Sequence, residues 1–324
     1  MSITVAAVAI GRNEGERLRR CLTSLKGQVG RVVYVDSGST DSSVDLARDF
    51  GTEVVILDPD IPFSAARARN AGFDRLATGR TMPDFVQFLD GDCSLVPGWI
   101  DTGRAALEAD PQLGMVTGWR AEIDPGASVY NAMCDVEWHR PPGPVRDCNG
   151  DMMVRAALFR QIGGFDPDFI ASEDDEICQR IAAAGYRLLR LPHDMTRHDA
   201  GITRFSQWWR RSVRSGHGFA HIASRHRGRN RRDRARAWIY GAALPSVALV
   251  GAAWSALVPA AVAVVYAASY LRTAHGLIRR GQSPRQALHH AVFLTLSKFA
   301  NMQGMLTFHW RRLLRRRTRL IEYK

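Results

Sequence analysis

The chain has 324 residues, of which 46% are hydrophobic and 23% are charged, and this composition is ordinary for globular proteins. Its five cysteines are scattered and lack Cys-x-x-Cys spacing, which argues against a zinc site or a disulfide scaffold and suits a reducing cytoplasm. The formal charge of +12 is unevenly distributed: residues 1–200 hold 21 Lys and Arg against 30 Asp and Glu, whereas residues 201–324 hold 23 against 2. An acidic first part and a strongly basic second part predict two modules with different partners.

The hydrophobic pattern of the first 80 residues predicts strands that alternate with helices. Short apolar runs indicate buried strands, and apolar residues at helical spacing indicate the helices between them. The predicted strands cover residues 3–10, 32–35 and 54–57, and the predicted helices cover residues 18–25, 42–50 and 65–76. The first apolar run has no basic leader and continues into charged residues, so no signal peptide is expected. The alternation predicts parallel βαβ units.

The next predicted strand, residues 86–89, ends in two carboxylates that are two residues apart. Asp90 and Asp92 flank Gly91 in an Asp-Gly-Asp sequence. At the carboxyl edge of an α/β sheet, where ligands bind, such a pair suits a hard divalent cation that neutralises phosphates. Asp and Gly are also common turn residues, so a simple turn explains the same sequence.

Polar residues follow the other predicted strands as well. Acceptors of this kind at successive strand ends are what a nucleotide pocket needs for a base, a ribose and a metal-bound diphosphate. Helix capping or turns explain each residue individually, and the argument therefore rests on their recurrence at one edge. No Gly-x-Gly-x-x-Gly or P-loop sequence follows the first strand, which disfavours dinucleotide and P-loop folds. The polar residues at these strand ends are Asn13, Glu14, Asp36, Asp41, Asp90 and Asp92.

An ordered set of motifs over residues 3–200 resembles the family 2 glycosyltransferases. Each motif is loose, but their order along the chain is specific. The resemblance implies a GT-A fold, which is an α/β, Rossmann-like nucleotide-diphospho-sugar-binding domain with a mostly parallel central sheet. The motifs are Asn13-Glu14, Val35-Asp36-Ser37-Gly38-Ser39-Thr40-Asp41, Ala68-Arg69-Asn70-Ala71-Gly72, Leu89-Asp90-Gly91-Asp92, Asn149-Gly150-Asp151, Ile162-Gly163-Gly164-Phe165-Asp166 and Ser172-Glu173-Asp174-Asp175-Glu176.

The resemblance also implies roles for individual residues on the donor side. Asp36 would contact the nucleoside, with Arg69 close to it, and Asp90 would face the ribose or the metal. Asp92 would hold Mg²⁺ or Mn²⁺ bridging the diphosphate, and His198 stands where many members carry a metal-binding histidine. A polar histidine near a strand end, without any metal, is the alternative for His198.

Asp174 would be the catalytic base in a family 2 enzyme, with Glu173 beside it at the substrate. Four consecutive acids begin the predicted helix, and their mutual repulsion raises at least one pKa, while the helix N-terminus lowers it. A capping cluster with Ser172 as the N-cap explains the same acids. With one base and no separate nucleophile, the expected reaction is a single displacement with inversion at the anomeric carbon.

A basic helix is predicted in the segment that begins at residue 203 and continues to about residue 224. It imperfectly resembles the Gln-x-x-Arg-Trp motif of processive polysaccharide synthases, because Gln207 and Arg210 match but Arg211 replaces the tryptophan. Arg210 is a candidate for diphosphate or lipid phosphate, and Trp208 for stacking on a sugar or lying at a membrane interface. The alternative is an amphipathic helix that closes the active-site edge.

Residues 237–271 form a run of 35 residues without a charge, which is longer than the roughly 20 apolar residues that a membrane span needs. The run contains Pro245 and Pro259, so a single kinked span and a re-entrant hairpin both fit, as does a buried helical pair. Arginines at both ends favour a hairpin with cytoplasmic ends. A second apolar segment, residues 287–310, precedes a tail with six arginines at residues 311–319, as expected on an anionic leaflet.

These observations predict a GT-A domain at residues 1–202, a basic helix and linker at 203–236, and a membrane-associating helical region at 237–324. The predicted function is metal-dependent transfer from a nucleotide sugar to a lipid-linked or growing glycan acceptor, in cell-envelope polysaccharide synthesis at the cytoplasmic membrane face. Two alternatives stay open. A nucleic-acid-binding protein fits the basic half but not its uncharged run, so no nucleic-acid partner is expected. A non-catalytic scaffold fits the fold but not the full set of carboxylates.

Overall fold

The computed structural model describes residues 3–78, 82–315 and 320–322. The chain divides into two compact units. The first comprises the described residues up to Ala127 together with Cys134–Gly201. The second comprises Ser128–Met133 and the described residues from Ile202 onward.

The first unit begins with the predicted alternation of strands and helices, which is confirmed. The strands form where β-branched and small apolar residues allow burial on both faces, and β1 and β4 are almost completely buried. The elements are β1 (Val5–Gly11), α1 (Glu16–Leu25), β2 (Arg31–Asp36), α2 (Ser43–Asp49), β3 (Glu53–Ile56), α3 (Ala65–Ala77) and β4 (Phe85–Asp90).

The register of the parallel strands brings two site residues to one edge of the sheet. The strands β1 to β4 pair in the order β3-β2-β1-β4, and all three pairings are parallel. Within this register Gly11 at the end of β1 pairs with Asp36 of β2, and Ile10 pairs with Asp90 of β4. The two aspartates therefore lie on either side of the end of β1.

The rest of the first unit adds antiparallel strands to the same sheet. Among the described strands, four pairs are parallel and four are antiparallel. The α/β class is confirmed: β1 to β4 and the long pair β6–β9 are parallel, and the short antiparallel pairings are additions that local patterns do not encode. The elements are β5 (Cys93–Leu95), α4 (Trp99–Ala109), β6 (Leu113–Glu122), α5 (Val129–Trp138), β7 (Gly143–Pro144), β8 (Met152–Arg155), α6 (Ala156–Gln161), α7 (Glu173–Ala183) and β9 (Arg187–His198).

The core lies on both faces of the sheet, because alternate residues of each buried strand point to opposite sides. Val8 and Val33 belong to the hydrophobic cluster on one face, and Ala7 and Tyr34 belong to the cluster on the other. Helix α3 packs very close to the sheet: a Cβ atom added at Gly72 would lie 2.3 Å from a methyl group of Val8. This close approach fixes the helix that carries Arg69.

The second unit is helical. The predicted basic helix is confirmed as α8 (Phe205–Arg225), and the second apolar segment lies in α12 (Pro284–Leu313). The other elements are α9 (Arg231–Trp238), a π-helical turn (Ile239–Ala243), α10 (Leu244–Gly251) and α11 (Leu257–Ile278). Helices α8 and α12 cross at two glycines, Gly216 and Gly304. An added Cβ at Gly216 would lie 2.1 Å from the Asn301 carbonyl oxygen.

The uncharged run forms a helical hairpin, which is one of the two membrane arrangements that the sequence allowed. The break lies between α10 and α11, where a Cβ at Gly251 would be 2.3 Å from Val258. Helix α11 continues through Arg272. Among the described residues, α11 is the one helix long and apolar enough to cross a membrane.

Candidate functional site

Asp36 is held by the loop that follows its own strand. Its carboxylate is 1% exposed and accepts hydrogen bonds from the backbone N–H groups of Gly38 at 2.9 Å and Ser39 at 2.8 Å. The phenol of Tyr34 donates a third bond at 3.1 Å. Burial beside Asp36 raises the pKa of Tyr34, so this phenol remains a donor.

Asn13, Glu14 and Asp41 lie in the neighbouring loops. Asn13 adopts a left-handed conformation with φ of 55°, and its Oδ1 accepts the Thr40 N–H at 2.7 Å. Glu14 pairs with Arg17 at 2.9 Å. Asp41 accepts the Ser43 N–H at 3.0 Å, which is the helix-capping role that its sequence also suggested. These residues join the loops after β1 and β2, and their predicted substrate contacts stay predictions.

Arg69 links the end of β4 to the start of α7. Its guanidinium is 2% exposed and lies 2.7 Å from Asp90 Oδ1 and 2.8 Å from Glu173 Oε1. Gly150 makes room for it, because an added Cβ there would lie 2.7 Å from Arg69 Nη2. The Arg69 guanidinium also stands over the Phe165 ring, 5.4 Å from its centre. The arginine predicted to lie near the nucleoside is therefore a buried bridge between two carboxylates.

A second buried arginine holds Asp90 from the other side. Arg120 lies 2.7 Å from Asp151 Oδ2 and 3.6 Å from Asp90 Oδ2. Asp151 is fully buried and also accepts a hydrogen bond from the Thr196 hydroxyl at 2.7 Å. The sequence reasoning did not single out Arg120. The feature that could have identified Arg120 is its position in an otherwise buried strand, because a buried charge needs a partner.

Asp92 and His198, the two predicted metal ligands, are brought together. Strands β5 and β9 pair with Cys93 opposite His198, so the imidazole Nε2 lies 3.3 Å from Asp92 Oδ1. Asp92, Cys93 and His198 form a group that can hold a metal ion, and Asp90, Cys93 and Asp151 form another. Sequence reasoning did not assign Cys93 to the site.

The surroundings of His198 suit a metal ligand. Its Nδ1 is buried, has no hydrogen-bond partner among the described residues, and lies 3.9 Å from Glu122 Oε2. The ring of Trp138 packs edge-on against the imidazole at 4.5 Å. A carboxylate behind a histidine commonly orients the ring for metal binding. Carboxylate oxygen and imidazole nitrogen are an acceptable donor set for a divalent cation.

Two of the four acids of α7 pair with different arginines. Ser172 occupies the N-cap position in a left-handed conformation, but its side chain makes no capping bond. Glu173 pairs with Arg69, and Glu176 pairs with Arg180 at 2.6 Å. The pKa of Asp174 is raised well above its usual value by burial, then by Glu173 and Asp175, whereas Arg69 opposes the rise. Burial and repulsion therefore outweigh the opposing effects of Arg69 and of a backbone hydrogen bond at Asp175.

The remaining two predicted site residues lie on α8 in the second unit. Trp208 is 4% exposed, and its ring lies 6.1 Å from the ring of Tyr130 and 5.2 Å from that of Phe293. Arg210 is exposed. Gln207 caps its own helix by accepting the Arg204 N–H at 3.0 Å. The substrate contacts predicted for Trp208 and Arg210 stay predictions.

The fold matches solved glycosyltransferase structures. A mannosyltransferase from Pyrobaculum calidifontis, solved in complex with GDP-Man and Mn²⁺, superposes with a TM-score of 0.64 at 17% identity, covering 96% of this chain and 88% of that one. The α/β unit, with Asp36 and Asp90 at the ends of β2 and β4, therefore has the GT-A fold.

Sequence comparison points to the same class of enzyme. The profile of glycosyl transferase family 2 matches residues 8–152, and that of the N-terminal domain of galactosyltransferase matches residues 133–200. Residues 8–152 of the chain are therefore similar to glycosyl transferase family 2.

Two curated relatives come from Mycobacterium tuberculosis. The chain is 29% identical over 238 residues to a pre-mycofactocin glycosyltransferase, a match that covers 68% of this chain and 48% of the relative. It is 26% identical over 275 residues to an N-acetylglucosaminyl-diphospho-decaprenol L-rhamnosyltransferase, covering 66% of this chain and 89% of the relative. The chain thus spans about half the length of the first relative and most of the second.

Proposed function

We propose that the chain transfers a hexosyl group from a nucleoside-diphospho-sugar to a hydroxyl of a lipid-linked or glycan acceptor, with inversion at the anomeric carbon. The observation that carries the proposal is the Arg69 bridge, which ties the strand ending in Asp90 to the helix carrying Asp174. The family supports glycosyl transfer, and the mannosyltransferase in complex with GDP-Man supports a nucleotide-sugar donor. The match to a glycosyltransferase profile does not favour the nucleic-acid-binding or scaffold alternatives.

In this proposal, Asp92 and His198 hold a divalent cation at the diphosphate. The nitrogen ligand and the nearby Cys93 thiol favour Mn²⁺ over Mg²⁺, because Mg²⁺ prefers an all-oxygen shell. When bound, the cation supplies Lewis-acid stabilisation of the diphosphate leaving group. Asp36 and the Asn13 loop line the nucleoside end of the same sheet edge, and the buried Arg120–Asp151 pair keeps Asp90 in place beside it.

Asp174 accepts the proton of the acceptor hydroxyl. The acceptor oxygen attacks the anomeric carbon, the bond from that carbon to the diphosphate oxygen breaks, and the nucleoside diphosphate leaves with the bonding pair. A base is most effective when its pKa approaches the working pH, and burial raises the pKa of Asp174 in that direction. Arg69 opposes this rise in pKa.

We further propose that the second unit holds the enzyme at the cytoplasmic face of a membrane. Helix α11 has 22 residues and is long enough to cross a hydrocarbon core of about 30 Å. Residues 201–324 carry 23 basic residues, which suits an anionic leaflet. The relative named for a decaprenol-linked substrate supports a lipid-borne acceptor.

The proposal is tested by product analysis with the full chain in detergent. A panel of nucleoside-diphospho-sugars is supplied with Mn²⁺ and polyprenyl-diphosphate-linked acceptors, and the anomeric configuration of the product is read by NMR. We expect one donor to give an inverted glycoside, with turnover lost in Asp174→Asn and kept in the matched control Asp175→Asn. A retained configuration, or full turnover in Asp174→Asn, would contradict the mechanism. The absence of any turnover would contradict the function.

A further inference from the structure

The second unit contains an open groove that the glycosyl-transfer mechanism does not use. It has a volume of about 1290 Å³ and lies between the π-helical turn and the C-terminal half of α12. Gly241 of the turn and Met302 of α12 line it. The helices come together closely at its base, because a Cβ at Gly241 would lie 2.5 Å from the Lys298 carbonyl oxygen. The groove therefore lies within one compact unit.

The wall formed by α12 is a continuous apolar stripe. Its members are spaced three or four residues apart, which puts them on one face of the helix. Exposure increases along the stripe: Leu306 is 52% exposed, Trp310 61% and Leu313 74%. Contiguous exposed apolar surface marks a site of interaction with another molecule. The stripe is Phe299, Met302, Leu306, Trp310 and Leu313.

Cationic side chains border this apolar surface. His309 and Arg311 line the groove. Burial, and then the nearby Arg234 and Arg312, lower the pKa of His309, so the arginines rather than the imidazole supply the positive charge. The acid of α9, Asp233, is 3.8 Å from Arg236 of the same helix. The groove thus combines a hydrocarbon-like wall with a positively charged rim, which is the complement of an anionic amphiphile.

We propose that this groove binds an anionic glycerophospholipid of the membrane, with an acyl chain along the α12 stripe and the phosphate at His309 and Arg311. A second copy of the chain fits less well, because it would bring the same cations against one another. Nucleic acid would meet the arginines but would leave the apolar stripe in water. The proposal adds a specific lipid site to the proposed membrane association and does not depend on glycosyl transfer.

The test measures lipid binding to the detergent-purified full chain. The probes are dioctanoyl phosphatidylglycerol and dioctanoyl phosphatidylcholine, counted by native mass spectrometry and titrated by calorimetry. We expect one phosphatidylglycerol per chain, bound at least tenfold more tightly than phosphatidylcholine. Leu306→Trp, which fills the groove, should weaken binding about tenfold. Leu288→Trp, at an exposed position on the same helix outside the groove, should leave it unchanged.

A second variant keeps the test informative if Leu306→Trp disturbs folding. Leu313→Glu puts an anion at the exposed end of the stripe and should weaken phosphatidylglycerol binding without changing the melting temperature. Equal affinity for the two lipids, or unchanged binding in both variants, would overturn the proposal. A dimer that dissociates in Leu306→Trp would also overturn the proposal. Tight binding of a polyprenyl phosphate without any binding of phosphatidylglycerol would overturn it as well. Transferase turnover should be retained in both variants. A wild-type chain that binds phosphatidylglycerol but shows no turnover would contradict the enzyme proposal and leave the lipid-site proposal intact.

Discussion

At the scale of single residues, the site depends on buried arginines that neutralise carboxylates from distant parts of the chain. Arg69 is 104 residues from Glu173 and 21 from Asp90, yet it contacts both. Removing one member of such a network leaves uncompensated buried charge, which typically costs about 3–5 kcal/mol. These arginines therefore set both the geometry and the charge balance around Asp174.

Asp174→Asn should abolish most turnover and at the same time stabilise the fold. The pKa of Asp174 is higher in the folded chain than its ordinary value. The folded state therefore holds the proton more tightly, and ionisation on raising the pH destabilises it. Asparagine removes that cost and also the base, which is worth about 10²–10⁴ in rate.

Turnover and the melting temperature of this variant are measured together, and wild-type turnover is followed against pH. We expect wild-type activity to rise with pH through a pKa above the ordinary aspartate range. A melting temperature that falls in Asp174→Asn, or an activity limb at the usual pKa of an aspartate, would contradict the assignment.

Glu122→Gln should weaken metal binding without unfolding the chain. Glu122 lies 3.9 Å behind His198 Nδ1, and its carboxylate also accepts the Ala200 N–H at 3.1 Å, a bond that glutamine can keep. Loss of a carboxylate behind a metal-binding histidine typically reduces metal affinity 10–100-fold. Mn²⁺ affinity is measured by electron paramagnetic resonance, with Glu108→Gln as a surface control. Unchanged affinity would mean that Glu122 does not orient His198.

Sequence patterns predicted some site residues better than others. The family resemblance named Asp92 and His198 separately as metal ligands, and the structure puts them 3.3 Å apart. Arg120 was not singled out, since its role follows from contact with Asp151, 31 residues away. The direction of the Asp174 pKa shift could not be predicted, because repulsion and the helix terminus act in opposite directions and the largest cause, burial, is known only from the packed structure.

At the scale of elements, the first four strands and three helices were predictable because each carries its own periodicity. The antiparallel strands that follow were not predicted, since β5 has three residues and β7 only two. Such short strands exist through their pairing with β9 rather than through local preference. The uncharged run was ambiguous for a related reason: a turn between two apolar helices leaves little trace in composition.

Gly304→Ala should destabilise the second unit. An added Cβ would lie 2.0 Å from the Val213 carbonyl oxygen, so α8 and α12 could not keep their close crossing. Overpacking of this kind typically costs about 1–3 kcal/mol, and a backbone clash leaves little room for relief. Gly276→Ala is the matched control, because nothing lies within 4 Å of its added Cβ.

Thermal unfolding of both variants is followed by tryptophan fluorescence in detergent. The control should be neutral or stabilised by up to about 1 kcal/mol, because alanine favours helix. Equal stability of Gly304→Ala and the wild type would contradict the packing of these two helices.

At the scale of the whole molecule, charge composition changes where the two compact units divide. Residues up to 200 are acidic on balance, and the first unit ends at Gly201. The inclusion of Ser128–Met133 in the second unit could not be read from composition. It depends on contacts such as the Ser128 hydroxyl donating to the Ile202 carbonyl at 2.6 Å.

Membrane association should depend on both apolar surface and charge. We expect the full chain to float with vesicles containing phosphatidylglycerol, and less with pure phosphatidylcholine vesicles, because each basic residue near an anionic surface contributes about 1 kcal/mol. Raising the salt concentration should reduce the difference between the two vesicle types but leave residual binding through α11. Flotation that is independent of lipid charge at low salt would contradict a role for the arginines.

The central claim is that the sheet edge carrying Asp90 and Asp92 is a metal-dependent nucleotide site. The most direct measurement is thermal stabilisation of the detergent-solubilised chain by UDP, GDP, TDP and CMP, each with Mn²⁺, Mg²⁺ or EDTA. Since a ligand of the folded state raises the unfolding midpoint by mass action, we expect one nucleotide to stabilise the wild type only with metal. That shift should be lost in Asp92→Asn. No stabilisation by any pair, or an equal shift in EDTA or in Asp92→Asn, would contradict the claim.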